Sequence, residues 1–202
     1  MVEYGRLFPH ALVHRTVGAG FIPARFANHH RGQVGPYPGI SMKRLRGRKH
    51  IRLPRPVYRK GHAFSITIGT HQRYPWFRLY PALADSGVHL LGDLGASRET
   101  ALYCWCIMPD HIHFLLQDRD IVDFVRLFKG RMTPKALSIE PGRRLWQRGF
   151  YDHALRKAES LEAVALYIWD NPVRAAIVEN PTEYAWSGSA VWPGWKEFYG
   201  RG

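Results

Sequence analysis

An α+β fold is predicted: an antiparallel sheet of βαββαβ order with its helices on one face, followed by a C-terminal helix that bears a tyrosine. Three observations predict it. Apolar alternation rich in β-branched and aromatic residues marks strands at 62–71, 100–108, 111–117 and 144–156. Apolar residues at helical spacing lie between the first and second strands, between the third and fourth, and after the fourth. Only Pro109 and Asp110 separate the two middle strands, so these form a hairpin. That order is the ferredoxin-like, split βαβ plan.

Each element has its own signal. "HAFSITIGTH" alternates and is β-branched. Residues 76–101 carry apolar positions at mixed spacing, with Pro81 and three glycines, the least regular of the helical patterns. "TALYCWCIM" and "HIHFLLQ" flank the "PD" turn. "DIVDFVRLFKGRMTPKAL" spaces Ile121, Phe124, Val125 and Phe128 for one helical face. "RLWQRGFYDHALR" reads as the fourth strand. "SLEAVALYIWDN" reads as a helix, with Ser160 as N-cap, Glu162 in the first turn and Pro172 beyond the end.

Composition narrows the function classes. The 202 residues carry a net charge of +13. Residues 1–60 hold 13 Lys/Arg against one acid, and the rest hold 16 against 15. A basic arm on a nearly neutral domain suits a polyanionic partner, most often nucleic acid. Residues 1–56, rich in Gly, Pro, Arg and His, read as a basic, flexible N-terminal arm. Lys43, Arg44, Arg46, Arg48 and Lys49 are its densest cluster. Met42 opens that cluster, so 1–41 is expected to be an extension upstream of a start at Met42. No apolar run is long enough for a membrane span, and no secretory leader is expected. Cys104 and Cys106 sit too close along one strand for a good disulfide, which suits a reducing, cytoplasmic setting.

Three constellations carry chemistry. His111 and His113, one residue apart on a strand, present both imidazoles to one face, and two imidazoles are good ligands for a divalent metal. The same spacing also fits two ordinary strand histidines. Tyr167 and Asn171 lie four apart on one helical face, where a phenol could be a nucleophile and an amide oxygen a third ligand. Equally, Tyr167 fits a core aromatic and Asn171 a cap before Pro172. Residues 119–157 hold ten Lys/Arg against four acids. Lys129, Arg131, Lys135, Arg143, Arg144 and Arg148 surround Trp146 and Phe150, a pattern that suits phosphate contacts with base stacking. Tyr151 is a rival nucleophile, and Asp152 and His153 are rival third ligands.

Together, "MPDHIHFLL", "FKGRMTPKA", "LWQRGFYDHALR" and "YIWDNPVRAAIVENPTEYAWSG" resemble, in order, the single-tyrosine HUH transposases, and within them the REP-associated tyrosine transposases. The resemblance spans about residues 57–190. It implies that His111 and His113 bind a divalent metal, Mg²⁺ or Mn²⁺, with Zn²⁺ also compatible. It implies that Tyr167 attacks a DNA phosphate to give a 5′-phosphotyrosine. Asn171 stands where insertion-sequence members have a glutamine ligand. The expected domains are then an arm at 1–56, a catalytic domain at 57–190 and a tail at 191–202. The expected partner is single-stranded or hairpin DNA, bound by a monomer or homodimer in the bacterial cytoplasm, on the nucleoid when DNA-bound. Two alternatives share these residues: a catalytically silent hairpin-binding protein, and another HUH nuclease such as a replication initiator.

Overall fold

The computed structural model describes residues 62–155 and 160–198. The basic arm, its Lys43–Lys49 cluster and the Met42 boundary lie outside the described residues. Within them, β1 (Phe64–Gly69) leads through a short helix α1 (Trp76–Leu79) into α2 (Pro81–Ser97). Then follow β2 (Ala101–Met108), β3 (His111–Gln117), α3 (Ile121–Ile139), β4 (Tyr151–Ala154), α4 (Leu161–Trp169), α5 (Asn171–Arg174) and β5 (Ser187–Gly188). The sheet is β4-β1-β3-β2-β5, with each neighbouring pair antiparallel. The first four strands have the expected split βαβ order, and β5 adds an edge that the sequence did not signal.

Each face of the sheet has its own core. Ile66 and Ile68 on β1, Trp105 and Ile107 on β2, and Ile112, Phe114 and Leu116 on β3 pack with α2 and α3. Cys104, Cys106, Met108 and Leu115 point the other way and pack with Val164, Ala165, Ile168 and Trp169 of α4. The tyrosine-bearing helix therefore covers the face that carries His111 and His113. Both cysteines are buried and free.

Helix α2 is the element with the weakest sequence pattern, yet it runs for 17 residues. Pro81 begins it in the first turn, where a missing N–H costs nothing. Gly87 faces the sheet, where a Cβ would stand 2.9 Å from the Ile107 Cδ1. A glycine that lowers helix propensity thus lets helix and sheet approach closely. Asp120 caps α3 by accepting from the Asp123 N–H at 3.0 Å. Ser160 caps α4 by accepting from the Ala163 N–H at 3.2 Å.

The fourth strand is much shorter than 144–156. Only Tyr151–Ala154 pairs with β1. Gly149 adopts a φ of 74°, which turns the chain before the strand begins. Residues 145–149 instead form a loop anchored from several sides. His71 N–H donates to Leu145 O at 2.8 Å and Gln147 N–H to Gly69 O at 3.1 Å. Lys129 Nζ donates to the carbonyls of Gln147 and Gly149, both at 2.9 Å.

Residues expected in a C-terminal tail belong to the core. Trp195 is 3% exposed and stacks on Trp169, with ring centres 4.4 Å apart. Trp192 packs edge-on against Trp169 as well. Trp195→Ala is therefore expected to cost about 3–5 kcal/mol and to loosen α4, a loss that urea unfolding would read directly.

A buried ion-pair network ties α2 to the start of α3. Asp118, its side chain 1% exposed, accepts from Arg98 Nη2 at 2.9 Å and Nε at 3.2 Å, and from the Thr100 hydroxyl. Burial opposes ionisation of Asp118, but the bonds from Arg98 and Thr100 outweigh it and hold its carboxyl below the ordinary value of 3.8. The depressed pKa means that this stabilisation is present above about pH 4 and is lost as the pH falls through the folded value. Asp118→Asn should unfold at lower urea than the parent at pH 7, by about 2 kcal/mol, and converge with it in acid.

Among the described residues, no helix is long and apolar enough to cross a membrane.

Candidate active site

The site grows out of the β2–β3 hairpin and what clamps its turn. Thr70 donates to the Asp110 carbonyl through its N–H at 2.9 Å and its hydroxyl at 2.8 Å. The Phe77 N–H donates to Pro109 O at 3.1 Å. A rigid turn of this kind sets where β3 begins, and so which way its first side chains face.

His111 and His113 do share a face. Their ring centres are 4.7 Å apart and the planes nearly perpendicular, at 86°. Each Nδ1 is engaged by a neighbour. His111 Nδ1 donates to Asp110 Oδ1 at 2.6 Å, and His113 Nδ1 lies 3.0 Å from the Thr67 hydroxyl on β1. Asp110 also holds Arg73, Nε to Oδ2, at 2.8 Å. Burial works against the Asp110 carboxylate, but His111 and Arg73 hold its pKa below the usual range. His113 is 7% exposed. Burial first, then the charges of His111, Arg174 and Arg73, hold it well below the ordinary imidazole value. It is therefore the neutral imidazole that metals require.

These features fit a metal pair. Engaged Nδ1 atoms fix the ring orientations, and Nε2 is the atom each ring would offer a cation. Among the described residues, no third His, Cys, Asp or Glu joins them in a metal-binding group.

Tyr167 is half-buried on α4, and its hydroxyl accepts from Arg174 Nη2 at 2.8 Å. The Arg174 guanidinium also lies over the Tyr167 ring, 3.9 Å from its centre. The Arg174 charge is also among those that, after burial and His111, disfavour protonation of His113. Asn171 turns its amide nitrogen to the end of α4, donating to the carbonyls of Ile168 at 2.9 Å and Tyr167 at 3.2 Å. Of the rivals, Tyr151 pairs with Thr67 and so shares the histidine face, 51% exposed. His153 pairs with Ser65 on that face too, whereas Asp152 pairs with Ile66 and belongs to the opposite one.

The basic belt divides on inspection. Trp146, expected to stack on bases, is a core residue instead: 5% exposed, packed against Phe77 and Phe128, its indole N–H donating to Lys129 O at 3.1 Å. Lys129 spends its ammonium on the loop carbonyls described above. Arg143 pairs with Glu140 and lies over the Tyr74 ring at 4.1 Å. Arg131, Lys135, Arg144 and Arg148 are exposed. Between the second half of α3 and the 142–148 loop runs a groove of about 500 Å³, edged by Arg143, Arg144 and Arg148.

Arg174, Thr67, Asp110 and Arg73 were not read as site residues. Arg174, seven residues after Tyr167, is two helical turns on and was the one visible in principle.

The fold and site define an α+β protein: a split βαβ sheet with two histidines on one face of its central strand. It belongs to the family described as Transposase IS200 like, whose model matches residues 61–171. A Haemophilus influenzae protein provisionally named as a REP-associated tyrosine transposase is 29% identical over 96 residues, 41% of this chain. The chain spans about half of that relative, 54% of its length. The fold is also that of a solved REP-associated tyrosine transposase bound to a REP hairpin, with a TM-score of 0.52 and 21% identity. That match covers 63% of this chain and 76% of the other.

Proposed function

We propose that this chain is a metal-dependent endonuclease and strand transferase for single-stranded DNA, acting on hairpin-forming palindromic repeats through a phosphotyrosine at Tyr167. The observation that carries the reading is Arg174. Its guanidinium holds the Tyr167 hydroxyl at 2.8 Å on the helix that covers the histidine face of the sheet.

His111 and His113 would hold Mg²⁺ or Mn²⁺, with the Asn171 amide oxygen as the proposed third ligand; the bound ion supplies Lewis-acid polarisation of the scissile phosphate. The Tyr167 oxygen attacks phosphorus. A P–O bond to the tyrosine forms, and the P–O bond to the 3′ oxygen breaks. The phenol loses one proton and the leaving 3′ oxygen gains one. The product is a 5′-phosphotyrosine, which conserves the phosphodiester bond energy for rejoining. Arg174 orients the attacking oxygen and offers positive charge where the phosphate accumulates negative charge. Arg131, Lys135, Arg144 and Arg148 supply phosphate contacts for the flanking strand. The REP hairpin bound by the structural neighbour supports hairpin DNA as the partner.

The test is a labelled hairpin oligonucleotide with single-stranded flanks, incubated with the full chain and Mn²⁺. A covalent adduct on the Tyr167 peptide is expected. An adduct on the Tyr151 peptide would refute the assignment.

A further inference from the structure

The segment "LWQRGFYDHALR" was read as a strand, yet its first half is a loop clamped beside the histidine strand. Gln147 sits at its centre. Its backbone is fixed on both sides of its Cα, its N–H donating to Gly69 O at 3.1 Å and its C=O accepting from Lys129 Nζ at 2.9 Å. Its side-chain amide lies flat on Gly69: a Cβ built there would fall 2.7 Å from Nε2 and 3.2 Å from Oε1. Gly69 is the cross-strand partner of His111. Directly paired residues project to the same face, so the Gln147 amide occupies the histidine face next to His111. Among the described residues, the amide makes no hydrogen bond, although its backbone is held twice. Gln147 also lines the basic groove. A fixed backbone, an amide without a protein partner and a glycine beneath it describe a donor kept for a ligand.

We propose that Gln147 contacts the substrate, donating its side-chain N–H to a non-bridging oxygen of the phosphate bound at the His111–His113 pair. The inference rests on the function proposed above. An uncharged donor fits this position, since it stabilises phosphate charge without repelling a cation held by the histidines.

The experiment compares the parent, Gln147→Ala, Gly69→Ala and the double variant in single-turnover adduct formation, with the same hairpin oligonucleotide at saturation and Mn²⁺. Gln147→Ala is expected to slow the reaction by about 10²-fold with an unchanged melting temperature. Gly69→Ala, whose methyl displaces the amide, should slow it similarly, and the double variant should be no slower than either. A methylphosphonate at the scissile position, lacking the accepting oxygen in one diastereomer, should erase the difference between parent and Gln147→Ala. If Gln147→Ala melts early, Gln147→Met keeps the length and carries the test. Recovery of the parental rate in the double variant, where the alanine methyl refills the space, would make Gln147 a filler and overturn the proposal. A parent that forms no adduct overturns both readings; equal rates for parent and Gln147→Ala overturn this one alone.

Discussion

Tyr167→Phe is expected to abolish the covalent protein–DNA adduct while leaving hairpin binding intact. The variant removes one oxygen, the atom that Arg174 Nη2 holds at 2.8 Å. The ring remains, half-buried on α4, and so does its contact with the Arg174 guanidinium at 3.9 Å. Folding and DNA contacts should therefore persist. Nucleophile removal has no substitute within the same step, so the rate should drop by about 10⁴-fold or more. Gel retention of the labelled hairpin checks binding, and denaturing electrophoresis checks the adduct. Full adduct formation by Tyr167→Phe would move the nucleophile elsewhere, with Tyr151 the first candidate because it shares the histidine face.

His113→Ala should abolish metal-dependent cleavage, and Thr67→Val should weaken it by degrees. His113 is buried and held neutral, with its Nδ1 at 3.0 Å from the Thr67 hydroxyl. Removing the imidazole leaves only His111 and the proposed Asn171 ligand, and adduct formation should fall by about 10³-fold or more. Thr67→Val keeps the shape but deletes the hydroxyl that orients the ring. Loss of such an outer partner costs roughly 10- to 100-fold in metal affinity. The variant should thus recover at high Mn²⁺ where His113→Ala does not. Titration of Mn²⁺ against protein, followed by the electron paramagnetic resonance signal of the free ion, measures both without a turnover. Unchanged Mn²⁺ affinity in His113→Ala would place the metal elsewhere.

Much of the fold was legible because its signals are local. The hairpin follows from two alternating segments around Pro109-Asp110. Ser160 caps α4 because a hydroxyl reaches the N–H three residues on. The helix α2 was obscured because its glycines look like breakers in a linear reading. One of them, Gly87, is there for the sheet it touches. Trp146 was misassigned for a related reason. Interleaved arginines and an aromatic look alike whether the indole faces solvent or, as here, Phe77 and Phe128. The 144–150 loop had strand-like composition, but a positive φ at Gly149 and the Lys129 clamp decide its path.

The sequence by itself determined the βαββαβ order, the shared face of His111 and His113, and the placement of Tyr167 on the helix that follows. Each depends only on backbone periodicity, which is a property of neighbours along the chain. Tertiary structure decided the rest of the site. It set α4 on the histidine face, brought Arg174 to Tyr167, put Thr67 and Asp110 behind the two imidazoles, and laid Gln147 over Gly69. The packing of α4 on the sheet, the Thr67–His113 bond and the approach of Gln147 to Gly69 join segments far apart in the chain, and no linear spacing encodes which of them meet; the Asp110 and Arg174 bonds are local in sequence but depend on the backbone path of the turn and of the α4–α5 corner.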